Sequence, residues 1–261
     1  MVMNTRNTLL GTHAILFRVH TQYFRRHTLS LQMVMNMNAQ TIYDRILNAL
    51  SLAKRTDHVA FVAVSKTRTV DEMKAAEAFT CIDYFGENRV QEAESKRKTY
   101  GTSRIPWRLI GHLQANKARK AVELFDAIDS LDSIDLAQRI DKIAAESGKV
   151  MPVLIEVNTS GEASKSGIEP ENFPQLAEKV MTLHNLRLDG LMTVGPLTDS
   201  EREIRKAFAE LRDLREKARA MTGLTLPVLS MGMSGDFELA IQEGSTMVRI
   251  GTLLFGARVY K

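Results

Sequence analysis

The sequence predicts a single (β/α)8 barrel, and three observations support that fold class. Eight short apolar segments alternate with stretches whose apolar residues recur at helical spacing, which is the pattern of parallel α/β folds. Several of these segments are apolar on both faces, as expected of strands that helices cover. The length of 261 residues suits one such barrel. A doubly wound open sheet is the main alternative, but no GxGxxG motif opens the first strand–helix turn.

The predicted elements follow one another without an interrupting linker. An opening helix is predicted from Ala39 to about Arg55, with Ile42, Ile46, Leu47, Leu50 and Ala53 on one face. The eight predicted strands are Val59–Ser65, Ile82–Gly86, Trp107–Gly111, Ala127–Leu131, Val153–Asn158, Leu188–Val194, Val228–Ser230 and Met247–Ile250. The predicted helices between them lie near residues 71–79, 89–99, 114–124, 133–147, 170–184, 199–221 and 235–243, and a short helix is predicted to end the series.

The net charge of +4 is concentrated at one end of the chain. Residues 1–43 contain four arginines and no acidic residue, which leaves 31 basic and 31 acidic residues in the remainder. This distribution argues against a nucleic-acid-binding domain, which clusters positive charge on a folded face. No apolar run approaches the roughly 20 residues of a membrane-spanning helix, and the single cysteine, Cys81, indicates a reducing compartment. We therefore expect a cytoplasmic protein without nucleic-acid or membrane partners.

Residues 1–36 differ from the rest of the chain because they are rich in Thr, His and Arg and show no amphipathic period. We interpret them as a disordered or mis-assigned extension, and residues 37–261 as the barrel domain. Met33, Met35 and Met37 offer later initiation points. An organelle transit peptide, which is rich in arginine and poor in acidic residues, is the alternative interpretation.

Polar residues and glycines concentrate where the predicted strands end, and in such barrels this rim holds the active site. Lys66 follows Ser65 and a run of apolar residues at the end of the first strand. Burial disfavours the charged form of a lysine and so favours an amine that can form a Schiff base. A side chain that extends to solvent is the alternative. We predict that Lys66 binds a ligand covalently.

The segments after the last two strands have the composition of phosphate-binding loops. Hydroxyls and glycines follow strand 7 at Ser230, Gly232, Ser234 and Gly235, and strand 8 at Gly251 and Thr252. Barrels often bind phosphate after strands 7 and 8, although glycines that only shape turns are the alternative. Arg249 precedes the second loop and is predicted to face the ligand. The alternative role of Arg249 is an ion pair inside the barrel with a glutamate such as Glu156.

Seven segments between residues 63 and 256 carry recognisable motifs. They are AVSKT (63–67), FGENRVQE (85–92), WRLIGHLQANK (107–117), VNTSGEASKSG (157–167), GLMTVG (190–195), LSMGMSGDFELAI (229–241) and MVRIGTLLFG (247–256). Together they resemble the pyridoxal phosphate homeostasis protein family. The chain departs from that family at Arg89, where an aromatic residue is common, and in the extra residues 1–36. The resemblance implies a barrel similar to the N-terminal domain of alanine racemase, with pyridoxal 5'-phosphate as the cofactor.

The resemblance also implies roles for individual residues. Lys66 is the Schiff-base lysine, Asn88 lies near the ring, and Arg249 faces the pyridine nitrogen and keeps it unprotonated. Lys165 matches a lysine linked to a secondary cofactor site. The phosphate is held by three residues: Ser230, Gly251 and Thr252. The implied function is binding, buffering and delivery of the cofactor, with transient contact to apo-enzymes.

An amino-acid racemase is the alternative function. Two-base racemisation requires an acid–base group on the face of the ring opposite the lysine. In alanine racemases, which the barrel resembles, that group is a tyrosine supplied by an additional domain and a partner subunit. Only five residues follow Gly256 here, and Tyr84, Tyr260 and His112 are weak candidates. We therefore predict a monomeric cofactor-binding protein without catalytic turnover and without a metal.

Overall fold

Eight parallel strands close into a barrel in the computed structural model, which describes residues 32–257. The strands are β1 (Ala60–Val64), β2 (Tyr84–Glu87), β3 (Trp107–Leu109), β4 (Ala127–Leu131), β5 (Met151–Glu156), β6 (Leu186–Met192), β7 (Val228–Ser230) and β8 (Met247–Ile250). Each strand pairs with the next along the chain, and β8 pairs with β1 through the register Ala60 to Met247. The predicted (β/α)8 barrel is confirmed.

Helices connect the strands and surround the barrel. They are α1 (residues 32–52), α2 (Val70–Ala76), α3 (Val90–Tyr100), α4 (Ala118–Leu124), α5 (Ile134–Glu146), α6 (Phe173–Met181), α7 (Glu201–Thr222), α8 (Phe237–Gln242) and α9 (Thr252–Phe255). Side-chain caps set several starts: Thr69 and Glu72 form a capping box at α2, while Ser133 and Ser200 cap α5 and α7. Within the described part of the chain, no helix is long and apolar enough to cross a membrane.

The opening helix α1 begins earlier than the sequence prediction, which started it at Ala39 and assigned residues up to 36 to an extension. Residues 32–36 belong to the helix instead. Met35, Ala39 and Ile42 are all buried, so Met35 extends the buried stripe by one further turn. Residues 1–31, which make up the rest of the predicted extension, lie outside the described residues.

The strand boundaries largely follow the predictions. The bounds of β4, β7 and β8 are as predicted, and those of β1 to β3 differ by one or two residues. Strands β5 and β6 both begin and end two residues earlier than predicted, because Met151 pairs with Leu186 at their shared start. Close packing of β6 on β7 requires Gly190, since a Cβ there would lie 1.9 Å from the carbonyl oxygen of Val228.

The hydrophobic core lies between the strands and the surrounding helices, and it includes Trp107, Leu109 and Val248. Successive residues of a strand point to opposite faces. Arg108 and Arg249 alternate with these core residues and therefore face the inside of the barrel. The buried charged side chains on the strands are Glu87, Arg108, Asp129, Glu156 and Arg249. Charged groups are seldom buried without partners. The contacts of these five side chains therefore show which of them are paired within the protein and which can face a ligand.

Candidate functional site

A cavity of about 450 Å³ opens at the carboxyl ends of the strands. Its wall is formed by Val64, Lys66, Arg68, Asn88, Ile110, Val194, Met233, Ser234, Gly235, Arg249, Gly251 and Thr252. Five of the six predicted site residues are in this wall: Lys66, Asn88, Arg249, Gly251 and Thr252. The cavity is therefore at the rim where (β/α)8 barrels carry their active sites.

Lys66 enters the cavity wall directly after β1. Pairing continues one residue past the strand, because the Ser65 N–H donates to the carbonyl oxygen of Gly86 at 3.0 Å. The chain then turns sharply: Thr67 has a φ of 64°, and the Arg68 N–H donates back to the Ser65 carbonyl at 2.9 Å. This turn leaves Lys66 partly exposed at the cavity while Ser65 is fully buried. The covalent role of Lys66 stays a prediction.

Arg249 forms the part of the cavity wall contributed by β8, and its side chain is held by backbone groups. Its Nη1 donates to the carbonyl and hydroxyl oxygens of Ser230, both at 2.8 Å, and its Nη2 donates to the carbonyl of Thr193 at 2.8 Å. Burial lowers the pKa of Arg249, and nearby carboxylates, above all Asp129, offset part of that effect. The guanidinium is thus fixed in orientation and presented to the cavity.

Ser230 does not reach the cavity wall. It is fully buried, and its hydroxyl accepts a hydrogen bond from Arg249. Ser230 therefore lies behind the guanidinium, whereas Ser234 and Gly235 of the same loop line the cavity. The predicted contact of Ser230 with a phosphate stays a prediction.

The short helix α9 starts at the cavity wall directly after β8. The N–H groups of Leu254 and Phe255 donate to the Gly251 carbonyl at 3.1 and 2.9 Å, which closes the first turn. The N–H groups ahead of them have no partner inside the helix, and Gly251 and Thr252 both line the cavity. A Cβ on Gly251 would lie 3.2 Å from the carbonyl oxygen of Val64, so the glycine permits close packing of α9 on β1.

Several buried polar side-chain atoms have no hydrogen-bond partner among the described residues. They include Oδ1 of Asn88 and Oε2 of Glu156. Burial raises the pKa of Glu156 to about 7, and the charge of Arg249 only partly offsets this effect. The predicted alternative of an ion pair between Arg249 and Glu156 is wrong, because the guanidinium donates to Ser230 and Thr193 instead.

Two features of the site were missed by sequence reasoning. Arg68 lines the cavity and donates to the carbonyl oxygens of Phe255 and Gly256, so it joins the turn after β1 to the end of α9. Glu87 and Lys96 form a buried ion pair behind Lys66, with Nζ and Oε1 2.6 Å apart. Only the glutamates of the FGENRVQE motif could have suggested this cluster, because its contacts depend on the packing of α3 against β2.

Lys165 and His112 lie outside this cavity wall. Lys165 is partly exposed in the loop after β5. His112 lines a neighbouring cavity of about 560 Å³, which shares Asn88 with the first. Its Nδ1 is 3.0 Å from Oδ2 of Asp132. Neither residue lines the cavity that contains Lys66.

Comparisons with known proteins agree on one family. The family model for the N-terminal domain of alanine racemase matches residues 40–259. A pyridoxal phosphate homeostasis protein of Aquifex aeolicus is 41% identical over 220 residues, which cover 84% of this chain and 96% of that protein.

Solved structures resemble the chain in fold. PipY of Synechococcus elongatus, solved with PLP bound, is 37% identical with a TM-score of 0.70, and the match covers 81% of this chain and 100% of that one. An alanine racemase of Clostridium difficile is 20% identical with a TM-score of 0.70, and it covers 86% of this chain and 58% of the racemase chain. The similarity to the racemase concerns the fold alone.

Proposed function

The chain belongs to the pyridoxal phosphate homeostasis protein family, and from that membership we propose that it binds pyridoxal 5'-phosphate, buffers it and delivers it to apo-enzymes. The observation that carries this proposal is the shared cavity of Lys66, Arg249, Gly251 and Thr252. It combines an amine, a fixed cation and the start of a helix. These are the groups that an aldehyde, a pyridine ring and a phosphate require.

The residues of the cavity fit this cofactor. When bound, the cofactor supplies an aldehyde that forms a Schiff base with an amine, and Lys66 is the lysine in the cavity wall. The unpartnered Oδ1 of Asn88 is a buried acceptor at the same wall, which a ligand can satisfy. Gly251 and Thr252 offer backbone N–H groups at the start of α9, the arrangement that binds phosphate elsewhere.

Arg249 is proposed to face the pyridine nitrogen. A guanidinium keeps its proton in proteins, so this contact leaves the nitrogen unprotonated and weakens the bound cofactor as an electron sink. Backbone carbonyls of Ser230 and Thr193 hold the guanidinium in place. Arg249 therefore supports a role in holding the cofactor instead of using it in catalysis.

The described part of the cavity wall also supports a binding protein over a racemase, which needs an acid–base group opposite the lysine. Within the described residues, the cavity wall contains no tyrosine and no histidine. The ring of Tyr84 lies under the guanidinium of Arg108 at 4.8 Å, and His112 lines the neighbouring cavity. Tyr260 lies outside the described residues. Incubation with L-alanine followed by chiral chromatography tests this point; turnover above about 1 s⁻¹, the low end for enzymes, would overturn it.

The proposal includes a cytoplasmic monomer that contacts apo-enzymes transiently. A single cysteine, Cys81, supports a reducing compartment. Transfer of the cofactor to a purified apo-enzyme, compared with the same amount of free cofactor, measures delivery directly. A mass from light scattering equal to two chains would contradict the monomer.

Replacing Lys66 by Ala tests the covalent site. We expect wild-type protein loaded with pyridoxal 5'-phosphate to show a Schiff-base absorbance band, and borohydride to fix the cofactor on the peptide that contains Lys66. The variant should lose both signals, because no other lysine lines the described cavity. Lys142→Ala, at an exposed position of α5, is the matched control and should behave like the wild type. An adduct of unchanged stoichiometry on another lysine would contradict the assignment.

A further inference from the structure

A buried cluster of charged side chains lies directly behind the turn that carries Lys66. Lys96 of α3 donates to Oε1 of Glu87 at 2.6 Å and to the carbonyl of Ser65 at 2.7 Å, and its Nζ forms an ion pair with Oε1 of Glu92 at 2.7 Å. The side chain of Lys96 is 8% exposed and that of Glu87 is 0% exposed. The ammonium is therefore buried with two carboxylates and one carbonyl as partners.

The same cluster holds the backbone on both sides of Lys66. On one side, the Ser65 hydroxyl donates to Oε1 of Glu87 at 2.7 Å. On the other side, the Thr67 N–H donates to Oε1 of Glu92 at 2.5 Å. Lys96 joins the two carboxylates, so one ammonium links the contacts that flank Lys66.

The energetics of this cluster favour a positioning role over a purely stabilising one. Burial raises the pKa of Glu87, and the charge of Lys96 offsets only part of that effect. Buried ion pairs often stabilise a protein no more than apolar residues of similar volume. The neighbouring Thr67 adopts a φ of 64°, a conformation that β-branched residues avoid unless their surroundings impose it. The cluster therefore holds the backbone in one defined conformation without adding much to the stability of the fold.

We propose that Lys96 is a positioning residue that, through Glu87, Glu92 and the Ser65 carbonyl, fixes the turn of Lys66 and so slows release of the cofactor. The inference rests on the proposed function, because it assumes that Lys66 binds the cofactor. Release from such a lysine would consume one water, which adds to the imine carbon so that the C–N bond breaks and the aldehyde and the free amine of Lys66 are restored. A turn that is held on both sides would keep this amine in position to re-form the imine, and so would slow net release.

Lys96→Met tests the proposal, since methionine has an unbranched side chain of similar length but lacks the ammonium. Protein loaded with pyridoxal 5'-phosphate is mixed with excess apo-enzyme, and the decay of the Schiff-base absorbance gives the release rate. We expect release to accelerate about tenfold or more, as for the loss of hydrogen bonds to a charged group. Lys98→Met, on the exposed face of the same helix, is the matched control and should release at the wild-type rate.

The double variant Glu87→Gln with Lys96→Met separates positioning from stability. It removes the uncompensated buried carboxylate, so the melting temperature of the cofactor-free protein should recover towards that of the wild type. Fast release should persist, together with a shift in the pH at which the Schiff-base band titrates. The proposal is overturned if Lys96→Met releases the cofactor as slowly as Lys98→Met, or if release returns to the wild-type rate along with stability.

Glu92 supplies a second test if Lys96→Met fails to fold. Glu92→Gln keeps an oxygen that accepts from the Thr67 N–H, whereas Glu92→Ala removes it. Faster release from the alanine variant than from the glutamine variant supports the proposal, and equal rates overturn it. Failure of the proposed function looks different, because the wild type itself would then show no Schiff-base band to follow.

Discussion

The Arg108–Asp129 pair on β3 and β4 can be compared with Glu156 and Arg249 on β5 and β8. All four side chains are buried and lie on strands of one barrel. Arg108 donates to both oxygens of Asp129, through Nε at 2.9 and 3.1 Å and through Nη2 at 2.7 Å. Such a two-point contact satisfies the carboxylate and fixes its geometry.

Glu156 and Arg249 do not form such a two-point ion pair. Arg249 donates to carbonyl and hydroxyl oxygens instead of a carboxylate, and Oε2 of Glu156 has no partner among the described residues. Arg249 also lines the cavity, whereas Arg108 and Asp129 do not. The difference teaches that buried charge alone does not mark a site. An unfilled polar atom in a cavity wall does, as at Oδ1 of Asn88, since a ligand can complete its hydrogen bonding.

Breaking the ion pair between Arg108 and Asp129 should produce the largest effect on stability. Asp129→Asn removes the charge that compensates Arg108, and loss of one partner of a buried ion pair costs about 3–5 kcal/mol. We expect urea unfolding to show a loss of that size, while protein that stays folded retains the Schiff-base band, because Asp129 is not in the cavity wall.

Two further variants sharpen this prediction. Replacing both partners, with Arg108→Met and Asp129→Leu, should recover most of the lost stability, since no charge is left unpaired. Glu146→Gln breaks an exposed pair with Arg119 and should leave the unfolding midpoint almost unchanged. A loss of the Schiff-base band in Asp129→Asn at saturating cofactor concentration would show that the Arg108–Asp129 pair also contributes to cofactor binding.

The unpaired carboxylate should destabilise the protein at neutral and higher pH. Burial raises the pKa of Glu156 from 4.5 to about 7. The folded state therefore holds this proton more tightly than the unfolded chain. The stability from protonation is present below about pH 4.5 and is lost as the pH rises through 7. The raised pKa corresponds in total to roughly 3 kcal/mol of stability, at 1.36 kcal/mol for each unit by which the pKa is shifted.

Glu156→Gln isolates that contribution. The variant carries no ionisable group at this position, so its stability should fall less between pH 5 and pH 8 than that of the wild type, by roughly 2.5 kcal/mol. Urea unfolding of both cofactor-free proteins at the two pH values measures the difference, and other titrating groups cancel in the comparison. Parallel stability profiles of the two proteins would show that Glu156 is ionised normally.

The predictability of the fold follows from local signals. The run of β4 lies between Asp126 and Asp132, β7 follows Pro227, and β8 lies between Thr246 and Gly251; the limits of all three were predicted to the residue. The start of α1 was not, because only contact with the barrel shows that Met35 is part of the buried stripe. Hydrophobic period predicts that a helix exists more firmly than where it ends.

In the site, too, features set by local sequence could be predicted, whereas those set by tertiary packing could not. Lys66 and Arg249 could be predicted to share a cavity, because parallel strands of a barrel end at one rim. The contact of Lys96 with the Ser65 carbonyl could not, because the two residues are 31 positions apart and meet only when α3 packs on the barrel. The partners of Arg249 were also missed, since sequence favours a carboxylate over the backbone carbonyls that it contacts.

The smallest of the three effects concerns how closely the two sides of the cavity pack. In Gly251→Ala the new Cβ would lie 3.2 Å from the carbonyl oxygen of Val64, which is tighter than ordinary contact. The backbone of Gly251 has a φ of −116°, so alanine adds no conformational strain. We expect the start of α9 to shift away from β1 and cofactor affinity to fall roughly tenfold, the lower part of the range for an added methyl group in a packed region.

Gly235→Ala distinguishes displaced packing from simple loss of volume. Gly235 lines the same cavity, but a Cβ there meets nothing within 4 Å. If α9 must sit against β1 to hold the phosphate, fluorescence titration with pyridoxal 5'-phosphate should show weaker binding for Gly251→Ala and nearly wild-type binding for Gly235→Ala. Equal weakening in both variants would mean that the cavity only lost space. Cofactor binding would then depend on the volume of the cavity more than on the contact between α9 and β1.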